Sequence, residues 1–221
     1  GFERVDIWGR GVDCELFSPA KRTREWRERL TDGNPDAPLL IYAGRLALEK
    51  RIDVLRPVLD EVPAVRLAIL GDGPEREHLE EMFAGTPTVF TGKLDGEDLA
   101  AAYAAGDIFT FPGENETFGN VVQEAMASSL PCLVAAHSGL RDRVRNCVDG
   151  FQFEPGNSAQ LATLVRWLLT DIDFRQNLAA NALEFARSQT WEANLDGLLG
   201  RYEELIARTR TTGTRAMTAG Y

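Results

Sequence analysis

The chain has 221 residues, of which 44% are hydrophobic and 26% charged, and this composition is typical of a globular protein with one large domain. Its formal net charge is -10 and its pI lies near 4.8. Both values argue against a basic nucleic-acid surface, so we expect no nucleic-acid partner. The sequence has no run of about 18 apolar residues and no apolar signal core near residue 1, and we expect a cytoplasmic protein.

Cysteine and histidine are sparse. The three cysteines, Cys14, Cys132 and Cys147, are odd in number and widely spaced, which favours a reducing compartment over a disulfide framework. Cys132 lies in an apolar run and is expected in the core. The two histidines are too few for a histidine-based metal site.

Secondary structure is predicted to alternate from residue 39 onward. A short helix around Trp26 and Leu30 precedes this alternating region and ends at a turn over residues 32–36. Strands are predicted over 39–43, 65–70, 89–91, 108–111 and 132–136, and helices over 52–62, 75–83, 97–103 and 120–128. This alternation predicts an α/β fold, a Rossmann-like doubly wound parallel sheet with helices on both faces. Ligands of such folds bind outside the carboxyl ends of the strands.

Three C-terminal helices are predicted over 158–169, 174–187 and 192–208. The last has an amphipathic face formed by Leu195, Leu198, Leu199, Tyr202 and Leu205. Residues 209–221 have little apolar content and are expected to form a flexible tail.

The stretch 108–127 combines a buried strand, a polar loop and a helix start. Two acids, Glu116 in the loop and Glu124 in the helix, can face one ligand because helical side chains lean toward the N-terminus. The amides from Phe118 to Val121 lack intrahelical acceptors and suit a phosphate, and Gly119 would let a ligand approach the backbone. The alternative is a capped helix whose acids merely offset the helix dipole.

Segment 116–127, Glu-Thr-Phe-Gly-Asn-Val-Val-Gln-Glu-Ala-Met-Ala, resembles the acidic pair motif of the retaining glycosyltransferases of family 4, which have the GT-B fold. The resemblance covers about residues 9–157 and continues more loosely to the end. It implies that 1–18 is an interdomain-type segment and that 19–208 is one half of a GT-B fold, the donor-binding domain with C-terminal helices. It also implies that an N-terminal acceptor domain is missing.

Two other loops resemble family loops at the same sheet edge. The first, Ala43-Gly44-Arg45-Leu46-Ala47-Leu48-Glu49-Lys50, is similar to the loop whose arginine and lysine hold the donor diphosphate. The second, Phe90-Thr91-Gly92-Lys93-Leu94, is similar to the stretch whose backbone contacts the base, and a solvated side chain is expected for its lysine. Arg51 and Ser129 stand where the family often has glycine. The resemblance implies donor-binding residues Gly44, Arg45, Lys50, Gly92, Leu94, Glu116, Phe118, Gly119, Asn120, Val121 and Glu124.

The resemblance also implies a mechanism. Arg45, Lys50 and the amides of 118–121 would stabilise the leaving diphosphate, so neither a metal nor another cofactor is expected. Glu124 would accept hydrogen bonds from the ribose hydroxyls. Glu116 would accept them from the transferred sugar or act as a covalent nucleophile, and both routes stay open. The catalytic set is therefore Arg45, Lys50 and Glu116.

Segments 9–13 and 81–92 bear a closer likeness to family members that move a sugar onto a lipid, such as sulfoquinovosyl-diacylglycerol synthases and bacterial lipid mannosyltransferases. The expected donor is a UDP- or GDP-sugar, and peripheral membrane association of the full-length protein is an expectation. Two alternatives remain: a non-catalytic nucleotide-sugar-binding module and a GT-B sugar-nucleotide epimerase. A dehydrogenase is disfavoured because the chain lacks a Gly-x-Gly-x-x-Gly fingerprint.

Overall fold

A computed structural model describes residues 10–113, 119–136, 140 and 143–218, with side chains up to residue 206. Within these residues one sheet contains six parallel strands: β1 Leu39–Ala43, β2 Arg66–Leu70, β3 Thr88–Gly92, β4 Ile108–Phe111, β5 Cys132–Ala135 and β6 Gly150–Phe153. Their order is β3-β2-β1-β4-β5-β6. This is the doubly wound order of a Rossmann-like sheet, with its reversal between β1 and β4.

The helices connect and cover these strands. They are α1 Arg24–Leu30, α2 Leu55–Glu61, α3 Arg76–Met82, α4 Gly96–Ala105, α5 Asn120–Ala127, α6 Ser158–Thr170, α7 Ile172–Ser188 and α8 Trp191–Thr218. Helix α2 packs against α6, while α1, α4, α5 and α7 are successive neighbours, and α6 also contacts α7. A parallel sheet needs such helices to cover its faces. Within the described residues, no helix has both the length and the apolar character to cross a membrane.

Burial follows position in the sheet. Every residue of β1, β4 and β5 is buried, whereas the edge strand β3 is half-buried throughout. Central parallel strands lie under helices on both sides and therefore read as continuous apolar runs, as predicted. Cys132 is fully buried in β5, as expected, and all three cysteines are free. The predicted fold class is confirmed.

The structure corrects two predicted boundaries and adds one strand. The helix predicted over 52–62 begins with a 3₁₀ turn, Ile52–Val54, and becomes α-helical only at Leu55. Strand β6 was not predicted, because four residues that begin with glycine carry too weak a pattern. Helix α8 continues to Thr218, past the predicted end at 208, since extending an existing helix needs no new nucleus.

An ion-pair network fixes the edge of the sheet at which β1 and β4 begin. Buried Arg27 of α1 donates to Asp107 Oδ2 at 2.7 Å, and the same oxygen accepts the amide of Leu39 at 2.8 Å. Burial raises the pKa of Asp107, but Arg27 and these hydrogen bonds outweigh it, so that the pKa lies below its ordinary value. The network ties α1 to both strands and leaves the carboxyl ends of the strands to form the site.

Candidate nucleotide-sugar site

A cavity of about 410 Å³ opens at the carboxyl ends of β1 and β2, beside the start of α5. It therefore lies at the reversal of strand order, where ligands of doubly wound sheets bind. Its lining residues are Ala43, Gly44, Arg45, Leu70, Gly71, Asp72, Lys93, Leu94, Leu99, Tyr103, Asn120, Val121 and Glu124.

The floor of the cavity consists of backbone. Beyond the ends of the strands, the amide of Gly44 donates to Leu70 O and the amide of Gly71 donates to Gly92 O, each at 2.9 Å. Gly71 has φ +145°, and a Cβ there would lie 1.9 Å from Gly44 O. The sequence needs glycine at position 71 because no side chain fits between the two loops. The predicted residue Gly92 supports this floor but is not part of the lining.

Cations stand on two sides of the cavity. Arg45, on the loop after β1, is exposed at the cavity, and its carbonyl accepts a hydrogen bond from the hydroxyl of buried Tyr42 at 3.1 Å. Lys93, after β3, lines the cavity as well. Lys50 is not in the lining: its Nζ lies 5.3 Å from the ring centroid of Phe111, at the end of β4. Positive charge thus comes from Arg45 and Lys93 at the cavity and from Lys50 beside β4.

Helix α5 begins at the cavity with two open amides. Gly119 is its N-cap with φ +65°, and its carbonyl accepts the amides of Val122 and Gln123. Asn120 and Val121 come before these two residues and line the cavity. Their backbone amides have no carbonyl acceptor within the helix. Their amides and the positive end of the helix dipole suit an anion.

Gly119 differs from its predicted role. Its left-handed conformation favours glycine, and a Cβ would lie 2.8 Å from the side chain of Leu140. The residue is outside the cavity lining. The structure therefore accounts for this glycine by conformation and packing, where the sequence suggested close approach of a ligand.

Glu124, in the second turn of α5, lines the cavity. Its Oε2 accepts a hydrogen bond from the hydroxyl of Tyr103 at 3.0 Å. Burial raises the pKa of Glu124 to about 7, against a smaller lowering by the Tyr103 hydrogen bond. A carboxyl group with one protein donor at the wall of a cavity has capacity left for a ligand.

The predicted donor-binding residues are only partly brought together at the cavity. Six predicted residues line the cavity: Gly44, Arg45, Leu94, Asn120, Val121 and Glu124. Glu116 and Phe118 lie outside the described residues. Lys93 is exposed, as expected for a solvated lysine, and it also lines the cavity, where it could contact a phosphate; Tyr103 was missed. The signal for Tyr103 was available, because a tyrosine in an alanine-rich helix next to a buried strand must place its hydroxyl on a partner.

An Asp-x-Asp pair, Asp171 and Asp173, occurs at the start of α7. The Asp171 side chain accepts the amide of Phe174 at 3.0 Å and so acts as the N-cap of that helix. Neither acid lines the cavity. The N-cap hydrogen bond explains Asp171 without a metal or a ligand.

Fold and cavity together define a doubly wound α/β protein with a cavity at its switch point, where ligands of such folds bind. Residues 24–185 match the family described as Glycosyl transferases group 1, and the chain belongs to that family.

Two relatives extend this result. The chain is 43% identical over 193 residues to "Sulfoquinovosyl transferase SQD2" of Arabidopsis thaliana, a match that covers 86% of this chain and 38% of that protein. It is 40% identical over 208 residues to "GDP-mannose-dependent alpha-mannosyltransferase" of Mycolicibacterium smegmatis, covering 93% of this chain and 53% of the relative. The chain thus spans about half the length, or less, of these relatives.

A solved structure agrees with the fold. Alr3699/HepE of Anabaena, crystallised with UDP, superposes with a TM-score of 0.78 over 88% of this chain and 56% of its own, at 22% identity. At that identity the likeness concerns the fold.

Proposed function

We propose that this chain is the donor-binding domain of a retaining, metal-independent glycosyltransferase of family 4, which transfers a sugar from a UDP- or GDP-sugar to an acceptor. One observation carries the proposal: Arg45, Lys93, the start of α5 and Glu124 all meet at one cavity. These are the groups that a nucleoside diphosphate requires, with donors for its phosphates and an acceptor for its ribose.

The phosphates are the electrostatic part of the argument. A chain with net charge -10 repels a free diphosphate unless local groups reverse the field. Arg45, Lys50 and the open amides of Asn120 and Val121 supply such groups, and each charge-assisted hydrogen bond contributes about 1.5–3 kcal/mol. In transfer they would stabilise the charge that develops on the leaving diphosphate.

The two acids have separate roles in this proposal. Glu124 accepts hydrogen bonds from the ribose hydroxyls at the cavity wall. Glu116, which lies outside the described residues, accepts them from the transferred sugar or attacks its anomeric carbon. Gly92 and Leu94 contact the base through their backbone, and Phe118 and Gly119 belong to the loop at the phosphates.

The identity of the donor and acceptor rests on likeness. The mycobacterial relative is named for GDP-mannose, which makes a GDP-sugar one candidate donor. A UDP-sugar is the other, from the resemblance to sulfoquinovosyl-diacylglycerol synthases. That resemblance also supports a lipid acceptor and peripheral association of the full-length protein with a membrane.

The acceptor would lie on a first domain that this chain does not contain. Helix α8 exposes an apolar row that includes Trp191, Leu195, Leu199 and Tyr202, each at least 41% exposed. Together with the greater length of the relatives, this row supports a covering domain. Without that domain the chain would bind the donor weakly and transfer nothing, because positioning of the acceptor contributes about 7–11 kcal/mol to such reactions.

Calorimetric titration tests the proposal. The double variant Arg45→Ala and Lys50→Ala is expected to lose at least about tenfold in affinity for UDP or GDP. Its affinity for uridine or guanosine should change little, because both cations address phosphate. The control variant, Lys21→Ala with Arg24→Ala, removes the same charge outside the cavity and should bind like wild type. Magnesium should not alter the affinity.

Equal losses for diphosphate and nucleoside would contradict the phosphate assignment. Assays of the complete protein distinguish the two alternative functions. Donor binding without transfer to any acceptor would favour a non-catalytic binding module. Conversion of the free nucleotide sugar in the absence of an acceptor would favour an epimerase.

A further inference from the structure

Tyr103 is the one member of the cavity lining, among the described residues, that is both aromatic and hydrogen-bonded to another lining side chain. The residue is fully buried. Its ring meets Phe17 edge-on at 5.7 Å and Phe109 at 5.8 Å between centroids. These contacts fix the ring, and with it the direction in which the hydroxyl points toward Glu124.

The proton in this hydrogen bond belongs to Tyr103. Burial and the neighbouring Glu124 raise the pKa of Tyr103 well above its ordinary value, so the phenol stays protonated at any working pH. Glu124, by contrast, has a pKa of about 7 and exchanges between acid and carboxylate near neutrality. A permanent O–H donor stabilises the carboxylate more than the acid.

The other polar groups around Tyr103 and Glu124 do not stabilise the Glu124 carboxylate in this way. Cys132 of β5 is neutral because burial raises the pKa of its thiol well above the ordinary value. The hydroxyl of Tyr42 on β1 is directed to Arg45 O. Arg45, Lys93 and Asp72 face the same cavity from the loops. Neither of the two cations is among the causes that set the pKa of Glu124, which are burial and Tyr103.

We propose that Tyr103 is a positioning residue for the donor: it orients Glu124 and favours its carboxylate form, which accepts two ribose hydroxyls. The inference rests on the proposed donor-binding function for its consequence, but the hydrogen bond itself can be tested without any ligand. A carboxylate has two acceptor oxygens, whereas the acid form must use one oxygen as a donor. Oε2 is held by Tyr103, which leaves Oε1 and the second lone pair of Oε2 for the ligand.

Carbon-13 NMR titration of the glutamate carboxyl groups tests the protonation role in the ligand-free chain. Glu124→Gln identifies the signal of Glu124 by its loss. In wild type the midpoint should lie near 7. In Tyr103→Phe, which keeps the ring contacts, it should rise by about one pH unit, the equivalent of a lost hydrogen bond to a charged group. Tyr42→Phe removes a buried hydroxyl whose partner does not titrate, and should leave the midpoint unchanged.

An unchanged midpoint in Tyr103→Phe, or an equal rise in Tyr42→Phe, would overturn the inference. Circular dichroism of both variants shows whether the fold is kept. If Tyr103→Phe fails to fold, the ring carbon that bears the Tyr103 hydroxyl is followed by carbon-13 NMR in wild type: its signal should shift with the midpoint of Glu124, and a signal that does not respond to that titration would overturn the inference.

Nucleotide binding then tests the positioning role. Tyr103→Phe should bind UDP or GDP about fivefold more weakly than wild type at pH 7, and the gap should close by pH 9, where Glu124 is ionised in both. In the Glu124→Gln background the tyrosine substitution should add no pH-dependent loss. A loss that is equal at all pH values would show a merely structural role. If wild type binds no nucleotide, the proposed function fails while the NMR result still decides the hydrogen bond.

Discussion

Gly71 and Gly44 lie so close that a Cβ on Gly71 would stand 1.9 Å from the carbonyl oxygen of Gly44. The contact joins the loops that follow β1 and β2, immediately beneath the cavity. It brings two main chains together where a ligand must approach, so that the floor has no side chain to exclude a phosphate or sugar. The space in the cavity at this edge therefore depends on the absence of a side chain at position 71.

Gly71→Ala should consequently disrupt the floor. The substitution combines a φ of +145° with a backbone clash, and we expect a loss of stability above about 2 kcal/mol together with loss of nucleotide binding. Gly85→Ala is the matched control, since Gly85 also has a positive φ, +76°, but open space around its Cβ position. It should cost about 1–2 kcal/mol and leave binding intact. Equal costs in urea unfolding would show that the contact with Gly44 relaxes freely.

Glu124→Gln should stabilise the chain at alkaline pH. The folded pKa of Glu124 is about 7 and its ordinary value is 4.5, so between these values the unfolded chain ionises while the folded chain stays protonated. Wild type therefore loses stability as pH rises through this window, by up to about 3 kcal/mol, and the glutamine variant does not. Urea unfolding at pH 4 and pH 8 measures the difference.

The control for this substitution is Glu97→Gln, whose side chain is 74% exposed. It removes an exposed ion pair with Lys21 and should change the free energy of unfolding by less than about 1 kcal/mol. A Glu124→Gln variant that is no more stable than wild type at pH 8 would mean that burial of the carboxylate has no cost. Since Glu124 lines the cavity, such a cost is the usual sign of an acid retained for a ligand.

The sequence predicted the sheet well because central parallel strands leave a strong local signal. Runs such as Leu39–Ala43 and Ile108–Phe111 are apolar apart from Thr110 and match the observed strands at both ends. Loops at strand ends were predicted as site elements because the topology brings all such ends to one edge. The same rule explains why Arg45 and Glu124, distant in sequence, line one cavity.

What the sequence did not predict depends on contacts distant along the chain. The hydrogen bond between Tyr103 and Glu124 joins two helices across β4, and no spacing rule links them. Lys93 reaches the cavity only because β3 lies at the far side of β2. Arg51 and Ser129, which stand where the family often has glycine, have positive φ angles of 48° and 62°. Glycine adopts such angles without strain, so the side chains at these two positions strain the backbone.

Arg51→Gly should therefore stabilise the chain modestly. The left-handed conformation costs a residue with a side chain about 1–2 kcal/mol, and glycine removes this cost. Against this gain, glycine increases the entropy of the unfolded chain, which costs about 0.5–1 kcal/mol, and it removes an exposed ion pair with Asp53. We expect a net gain of up to about 1 kcal/mol in urea unfolding. Arg51→Ala removes the same ion pair without relief of φ and should be no more stable than wild type. If both variants are equally stable, the left-handed conformation at this position carries no measurable strain.

Asp107→Asn should have the opposite pH signature to the change at Glu124. The pKa of Asp107 is lowered in the folded chain, so its contribution to stability is present above its ordinary value of 3.8 and is lost as pH falls through the folded pKa. Removing the charge leaves buried Arg27 without its ion pair, and we expect a cost of about 3–5 kcal/mol at pH 7 that shrinks in acid. Asp60→Asn breaks the surface pair with Arg56 and should cost less than about 1 kcal/mol at either pH. A pH-independent cost for Asp107→Asn would show that its hydrogen bonds, to the Leu39 amide among them, hold the edge of the sheet regardless of charge.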